Sequence, residues 1–389
     1  MKKVILAYSG GLDTSVAIKW LKDRGYEVVA YMADVGQEKT PRAAIDRAKK
    51  AGASKVIVRD LKKKFITDYL WPALKAGAVY EGRYVLATAL SRPLIAAEQV
   101  AVAHREKATA VAHGCTGKGN DQVRFEVTIQ ALDSSLEILA PVIEWEFRSR
   151  EEEIQYALRH HIPIDSTKKS PFSIDKNIWG VSVEAGVLED PNTEPPAESF
   201  QWTRGAETRN LKERVVEIGF KKGAPVSLNG KRREPLALIK ELNELGAAYG
   251  IGRMDMIENR LVGIKSRETY EAPAATLLLQ AHRDLESLTL DRELFHFKEG
   301  LSQKYAELVY YGLWFTPLRR ALDAFIESTQ KKVTGSVRVK LRKYSSHVVG
   351  RKSPYSLYKE SLATYSEKDK FDQRLAKGFI DLWALPYRK

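Results

Sequence analysis

The chain is 389 residues long, 44% hydrophobic and 29% charged, with a formal net charge of +13 and one cysteine. Two domains with an appendage are expected at that length; no apolar run is long enough to span a membrane, the short one after MKK is no signal peptide, and Cys115 alone forms no internal disulfide, which fits a cytoplasmic setting. The charge raises nucleic acid as a partner, but the most basic tract, residues 331–352 with eight Lys/Arg and no Asp/Glu, centres on SVRVKLRKY. There Val337, Val339 and Leu341 alternate with Arg338, Lys340 and Arg342, the pattern of a half-buried strand with a charged solvent face, so neither nucleic acid nor a membrane is expected as a partner.

In chain order, VILAY (residues 4–8) predicts a buried strand, and Val16, Ala17, Trp20 and Leu21 a helix from Asp13 to about Arg24. EVVAYMADVG reads as a strand, residues 40–52 as a helix with Ala44, Ile45, Ala48 and Ala51 on one face and Gly52 at its end, and SKVIVRD as a strand. WPALKAGAVYEGRYVLATALSRP reads as a loop leading into a helix, with Tyr80 and Tyr84 exposed, and residues 91–106 as that helix, with Pro93 near its first turn. ATAVAHG and LEILAPV read as strands around a helix over VRFEVTIQAL, and SREE, residues 149–152, as a capping box before a helix carrying Ile154, Ala157 and Leu158. This alternation predicts an α/β fold with a doubly wound, mostly parallel sheet over residues 1–165, whose ligands bind beyond the strands' carboxyl ends. Residues 166–362 mix strands (VVEIGF, PVSLNG, GSVRVKL) with long helices and read as a second, α+β domain; EDPNTEPPAE is an exposed loop, and Ala274, Leu277, Leu278, Ala281, Leu285 and Leu288 form one apolar stripe. Residues 363–389 form a helical arm, with Phe371, Leu375, Phe379 and Leu382 along a helix from Glu367 to Trp383.

Two stretches carry chemistry. AYSGGLDTS (residues 7–15) lies on the first strand-to-helix turn, where unpaired helix N–H groups and the helix dipole attract an anion. Gly10 and Gly11 let the backbone bend and a bulky anion approach, and Ser9, Thr14 and Ser15 add hydroxyl donors. The plain reading is a glycine turn capped by Asp13 or Thr14. The string is neither GxxxxGK[ST] nor GxGxxG; it resembles the pyrophosphate loop of the N-type ATP pyrophosphatases, which split ATP between its α and β phosphates. The second stretch, AHGCTGKGNDQVRFE (residues 112–126), is a glycine-rich cradle between a strand and a helix. Thr116, Lys118 and Arg124 suit a carboxylate, and Asp121 an ammonium or the proton of an amine. Nothing near Cys115 marks it as a nucleophile. His160 and His161 diverge on a helix and no metal-ligand spacing occurs elsewhere.

AYSGGLDTS, ADVGQ, GRYVLATALSRP, AHGCTGKGNDQVRFE, SIDKNIWGVSVEAG with LEDP, and GRMDMIENRLVGIKSRETYE follow one another along the chain. Together they resemble the argininosuccinate synthase family over nearly the full length. The resemblance implies a nucleotide-binding domain, a synthetase domain and a C-terminal helical arm in a homotetramer. It implies an ATP-dependent ligase that makes citrulline adenylate and pyrophosphate, then lets the aspartate amine displace AMP in a step of arginine biosynthesis. By position, ATP would be held by Ala7, Tyr8, Ser9, Gly10, Gly11, Leu12, Asp13, Thr14 and Ser15, with Ala33 and Gly114. Aspartate would be held by Thr116, Asn120 and Asp121, and citrulline by Tyr84, Asn120, Arg124, Ser173, Ser182, Glu258 and Tyr270. Asp13 and Asp121 would be the catalytic carboxylates. Mg²⁺ would arrive on ATP, since the sequence offers no carboxylate cage. Ala89 stands where many family members have serine, which removes one citrulline contact unless Ser91 replaces it. A tRNA-thiolating enzyme of the same loop class is the alternative; such chemistry passes sulfur through paired cysteines, and this chain has one.

Overall fold

The computed structural model describes residues 1–37, 42–163, 171–204 and 211–389. Strands β1 (Lys2–Ala7), β2 (Tyr26–Asp34), β3 (Lys55–Asp60), β4 (Ala110–Ala112) and β5 (Glu137–Leu139) form one sheet in the order β3-β2-β1-β4-β5. Every pairing in it is parallel. Side chains alternate across a strand, so β1 feeds two cores: Val4 and Leu6 pack with residues of helices α1 (Leu12–Asp23) and α2 (Arg42–Ala51). Ile5 packs on the other face with α3 (Ala87–Glu106) and α4 (Asp121–Leu132). Helices on both faces make the sheet doubly wound, as the alternation of strand and helix patterns predicts. Helix α5 (Arg150–Arg159) starts at Ser149, whose side chain accepts the Glu152 N–H while Glu152 accepts that of Arg148.

The remaining strands are antiparallel. The hairpin β6 (Ser173–Asn177) and β7 (Gly180–Glu184) joins a second hairpin in the order β11-β12-β7-β6. Between them in sequence come β8 (Arg214–Lys221), β9 (Ala224–Leu228), β10 (Lys231–Arg232) and α6 (Pro235–Ala248); the second hairpin is β11 (Arg253–Asn259) with β12 (Lys265–Glu271). Helices α7 (Pro273–Thr289), α8 (Arg292–Tyr310) and α9 (Pro317–Thr329) precede β13 (Gly335–Arg342) and β14 (Ser345–Lys352), which complete a sheet β10-β9-β8-β13-β14. Val337, Val339 and Leu341 of β13 are fully buried and Arg338 and Arg342 are exposed, so the basic tract is a sheet strand.

Five expectations need correction. Residues 71–76 are helical rather than loop. Tyr80 and Tyr84 are 6% and 2% exposed, because Tyr80 stacks on Tyr310 and Tyr84 on Tyr270. Helix α3 begins at Ala87, not Ser91: the Tyr84 hydroxyl accepts the N–H groups of Thr88 and Ala89, giving the helix an earlier start and leaving Pro93 inside it. The last helix, α10, spans only Arg374–Trp383, with turns before it, and Leu158 of α5 is exposed rather than on a packed face. The expected boundary at residues 165–166 and the expected helix start at residue 40 lie outside the described residues.

The ADVGQ loop after β2 is stitched to the β6–β7 turn. Ile178 donates its N–H to Val35 O, and a Cβ on Gly36, at φ +94°, would lie 1.7 Å from Ile178 Cγ2. Gly36→Ala is therefore expected to lower folding stability by about 1–3 kcal/mol, read from denaturant or thermal unfolding; wild-type stability would show that this contact is not tight.

Candidate active site

The strand order reverses direction at β1 and β4, which leaves a crevice at their carboxyl ends. Both glycine-rich stretches open there. After β1, Gly10 takes φ +86°, its carbonyl accepts from the Arg47 guanidinium of α2, and a Cβ would sit 2.9 Å from Ala44 Cβ. Gly11 is the N-cap of α1 at an ordinary φ of −76°, and no side chain caps that helix. Only Gly10 is needed for the bend, and neither Asp13 nor Thr14 is the cap. The Ser9 hydroxyl accepts the Gly11 N–H at 3.3 Å and pairs with Thr14 Oγ1 at 3.1 Å, while Ser15 donates to Gly11 O at 2.7 Å. The loop is thus braced by its own hydroxyls, with the first N–H groups of α1 uncapped. The loop after β4 touches it: a Cβ on Gly114 would lie 2.7 Å from Thr14 Cγ2. His113, buried beside this loop, accepts the Cys115 N–H on Nδ1 and lies 3.2 Å from Glu126 through Nε2. Burial pushes the Cys115 thiol well up, which suits a packed side chain and not a nucleophile.

The facing wall comes from the β11-β12-β7-β6 sheet. Register sets Ser173 opposite Glu184, and Ser182 opposite both Asp175 and Tyr270. The two serines noted in sequence therefore stand in adjacent rows of one face. Tyr270 donates to Glu258 Oε2 at 3.0 Å. Burial, then the nearby Glu258 and Glu184, push the Glu268 carboxyl well above its usual range, although Arg260 opposes them.

Between the walls lies a chain of ion pairs. Arg124 donates to Asp121 Oδ1 at 3.0 Å and through Nε to Tyr310 O at 3.0 Å. Arg92 of α3 donates through Nε to Asp121 Oδ2 at 2.9 Å and also bonds Asp175 of β6. Burial alone would raise the Asp121 carboxyl; the two guanidinium groups outweigh it and hold it at about 2. A carboxylate held that low is a poor proton acceptor and stays an anion that could hold an ammonium. Asn120 is committed too: its amide donates to the Tyr310 hydroxyl at 2.8 Å and accepts the Leu261 N–H at 2.8 Å.

These walls enclose a cleft of about 610 Å³. Ala7, Tyr8, Ser9, Thr14, Ala33, Gly114, Thr116, Asn120, Asp121 and Arg124 line it, as do Tyr84, Ser173, Ser182, Glu258 and Tyr270. Gly10, Gly11, Leu12, Asp13, Ser15 and Lys118 do not. Leu12 packs against a core and Ser15 is buried under the loop. Asp13 stands near enough to Glu153 of α5 to act on its carboxyl. Sequence reasoning missed Arg92, Thr88, Asp175, Glu184 and Glu268, which also line the cleft. Arg92 and Asp175 stood inside the ALSRP and SIDKN stretches; charges within otherwise buried patterns were the available signal. Ala89 is fully buried and outside the lining, while Thr88 and Ser91 reach the cleft, Thr88 Oγ1 lying 3.4 Å from Ser182 Oγ.

A family described as the arginosuccinate synthase N-terminal HUP domain matches residues 3–163, and one described as the arginosuccinate synthase C-terminal domain matches residues 172–389. The chain belongs to the argininosuccinate synthase family. Its members' enzyme class, a ligase, agrees with the expectation from the motifs. Argininosuccinate synthase from Chlorobium luteolum is 57% identical over 99% of this chain and 96% of that protein. The one from Chlorobium phaeobacteroides is 58% identical over the same shares, and that of Aquifex aeolicus 56% over 100% and 97%. Among solved structures, a 4-thiouridine synthetase–RNA complex with bound ATP aligns over 41% of this chain and 40% of that one at 16% identity. Its TM-score of 0.31 carries no argument.

The Asp13–Glu153 contact has a measurable consequence. Burial, then the charge of Asp13, push the Glu153 carboxyl up from 4.5 to about 8. Between those values the folded protein keeps a proton that the unfolded chain releases, so this group's contribution to stability is full below 4.5 and is lost as pH rises toward 8. Glu153→Gln is expected to flatten that decline in a series of melting temperatures across the window; an unchanged slope would place the decline elsewhere.

Proposed function

We propose that the chain joins citrulline and aspartate into argininosuccinate through a citrulline adenylate, consuming ATP and releasing pyrophosphate and AMP. The observation that carries this reading is the convergence, in a chain of this family, of both glycine-rich loops and a polar sheet face on one cleft. In the proposed arrangement the phosphates lie over Ser9, Thr14 and the uncapped start of α1, with adenine near Ala33 and the nucleotide passing Gly114. Gly10 and Ser15 shape the loop from beneath, and Asp13 supports it through α5. Citrulline lies against the β-sheet wall, where Tyr84, Ser173, Ser182 and Tyr270 surround it. The Arg124 charge suits its carboxylate and Glu258 its ammonium. The neutral ureido oxygen is a weak nucleophile, so most of the rate must come from holding it in line with the α-phosphorus. As that oxygen bonds to phosphorus, pyrophosphate leaves.

Aspartate then lies against Thr116, Asn120 and Asp121. Its amine, once deprotonated, attacks the activated ureido carbon, and AMP leaves with the electrons of the carbon–oxygen bond. Magnesium enters on the nucleotide: no group of three or more His, Cys, Asp or Glu among the described residues would hold it, so its ligands would be phosphate oxygens and water, and there it would neutralise the leaving pyrophosphate. Helix α10 fits a subunit arm. Leu375, Phe379, Leu382 and Trp383 are 69%, 61%, 70% and 68% exposed, and burying each against another copy would contribute about 1.5–3 kcal/mol. A homotetramer is the assembly proposed with it.

The decisive experiment measures pyrophosphate and AMP release from Mg-ATP with citrulline and aspartate, singly and together. Both products are expected with both substrates, and neither when ornithine replaces citrulline. No turnover until tRNA is added would overturn the reading. Asp121→Ala is expected to retain citrulline-dependent pyrophosphate release while losing aspartate-dependent AMP release about 100-fold or more; loss of both steps together would refute the anchoring role. Gly11→Val is expected to fold, because a Cβ there meets only Ser9 Oγ at 3.4 Å, and yet to lose ATP use, because the added methyls would stand where the phosphates approach. Normal turnover in that variant would remove the loop from the proposal.

A further inference from the structure

Arg92 is assigned no role by the motif, yet it bridges the two walls of the cleft. It comes from the second turn of α3, lines the cleft, and its side chain is 17% exposed. Its guanidinium binds Asp121, at the start of α4, through Nε at 2.9 Å and Nη2 at 2.8 Å, and reaches Asp175 of β6 through Nη2. Arg92 thus ties the nucleotide-binding sheet's second loop to the opposite wall. With Arg124 on Oδ1 and Arg92 on Oδ2, both oxygens of Asp121 face a guanidinium. Cys115, from the loop after β4, and Asp175, from the facing hairpin, also act on Arg92, and Glu126 of α4 acts on Cys115.

We propose, resting on the functional reading above, that Arg92 is the positioning residue of the aspartate half-reaction: it fixes Asp121 as a permanent anionic anchor for the incoming ammonium and denies it the role of base. The geometry supports the anchor. Oδ1 accepts one bond from Arg124 in the structure, and a carboxylate oxygen has room for a second donor. The same geometry opposes the base, because protonating Asp121 would break up a charge cluster of two arginines and two aspartates. The proton of the aspartate amine therefore leaves to a group other than Asp121. Arg92→Lys keeps the charge but loses the planar fork that holds one carboxylate edge while reaching a second carboxylate.

The test compares the full-length protein with Arg92→Gln and Arg92→Lys. It follows citrulline-dependent pyrophosphate release for the first step, and KM for aspartate and kcat of AMP release for the second, with thermal unfolding as a check on folding. For Arg92→Gln, KM for aspartate is expected to rise roughly 10- to 100-fold, with a loss in the aspartate step at least about tenfold greater than in pyrophosphate release. Arg92→Lys is expected to recover part of the KM loss, which a merely structural role would not grant to one charge-conserving variant with an equal melting temperature. Removing Arg92 would make Asp121 more basic, so a rise in kcat of the aspartate step in Arg92→Gln would show Asp121 to be the base and overturn the proposal. Equal losses in both half-reactions would overturn it too, by placing Arg92 in adenylation. If Arg92→Gln does not fold, Arg92→Lys alone decides, by the same split between KM and kcat. Failure of the unaltered protein to release pyrophosphate with citrulline would instead reject the functional reading itself, and this proposal with it.

Discussion

Val4, Ile5 and Leu6 pair with Ala110, Val111 and Ala112 in one parallel register, and the cleft depends on that pairing. β1 leads on to β2 and β3 on one side, while β4 leads to β5 on the other, so the loops leaving β1 and β4 part company over a shared crevice. The contact between Gly114 and Thr14 is the local sign of it: the two loops are near enough that one side-chain carbon would not fit. Slipping β4 along β1 by one residue would turn Val111 from one core to the other. It would also separate the hydroxyl-rich loop from the residues that face it.

The opposite wall is joined to this crevice by a shared apolar core, and across the cleft by aromatic stacking and charge. The Tyr80–Tyr310 and Tyr84–Tyr270 stacks bring the segment before α3 against α8 and β12. Arg92, Asp121, Arg124 and Asp175 balance to neutrality across the gap. Buried ion pairs add little net stability, because desolvation offsets their attraction, but losing one partner strands the other. Such a cluster is a weak source of stability and a strong source of geometry.

Much of this was legible in the residues. The unbroken apolar run VILA and the alternation of strand and helix patterns after it gave the doubly wound sheet, and the hydroxyls around Gly10 marked the loop proposed to hold phosphate. The β6–β7 serines were legible only through the resemblance, because Ser182 takes its place from cross-strand register with Tyr270, about ninety residues away in the chain. Tyr84 was misjudged for a related reason. A tyrosine that follows Glu81, Gly82 and Arg83 looks solvated until its stacking partner, far along the chain, is known. Arg92 was hidden by proline and alanine neighbours that read as plain helix, and Asp13 was placed in the cleft because nothing local reveals that Glu153 waits behind it.

Helix α10 follows all three sheets in the chain, and its apolar ridge is largely exposed. On a ribosome, that ridge emerges only after every strand of the cores has been made, when both domains can already have collapsed. The order of synthesis thus keeps the stickiest surface away from the half-folded chain, where a long exposed apolar face would invite misassembly. The same residues placed ahead of β1 would meet unfinished cores, and a circular permutant of that kind should aggregate during expression even if its finished fold were equally stable.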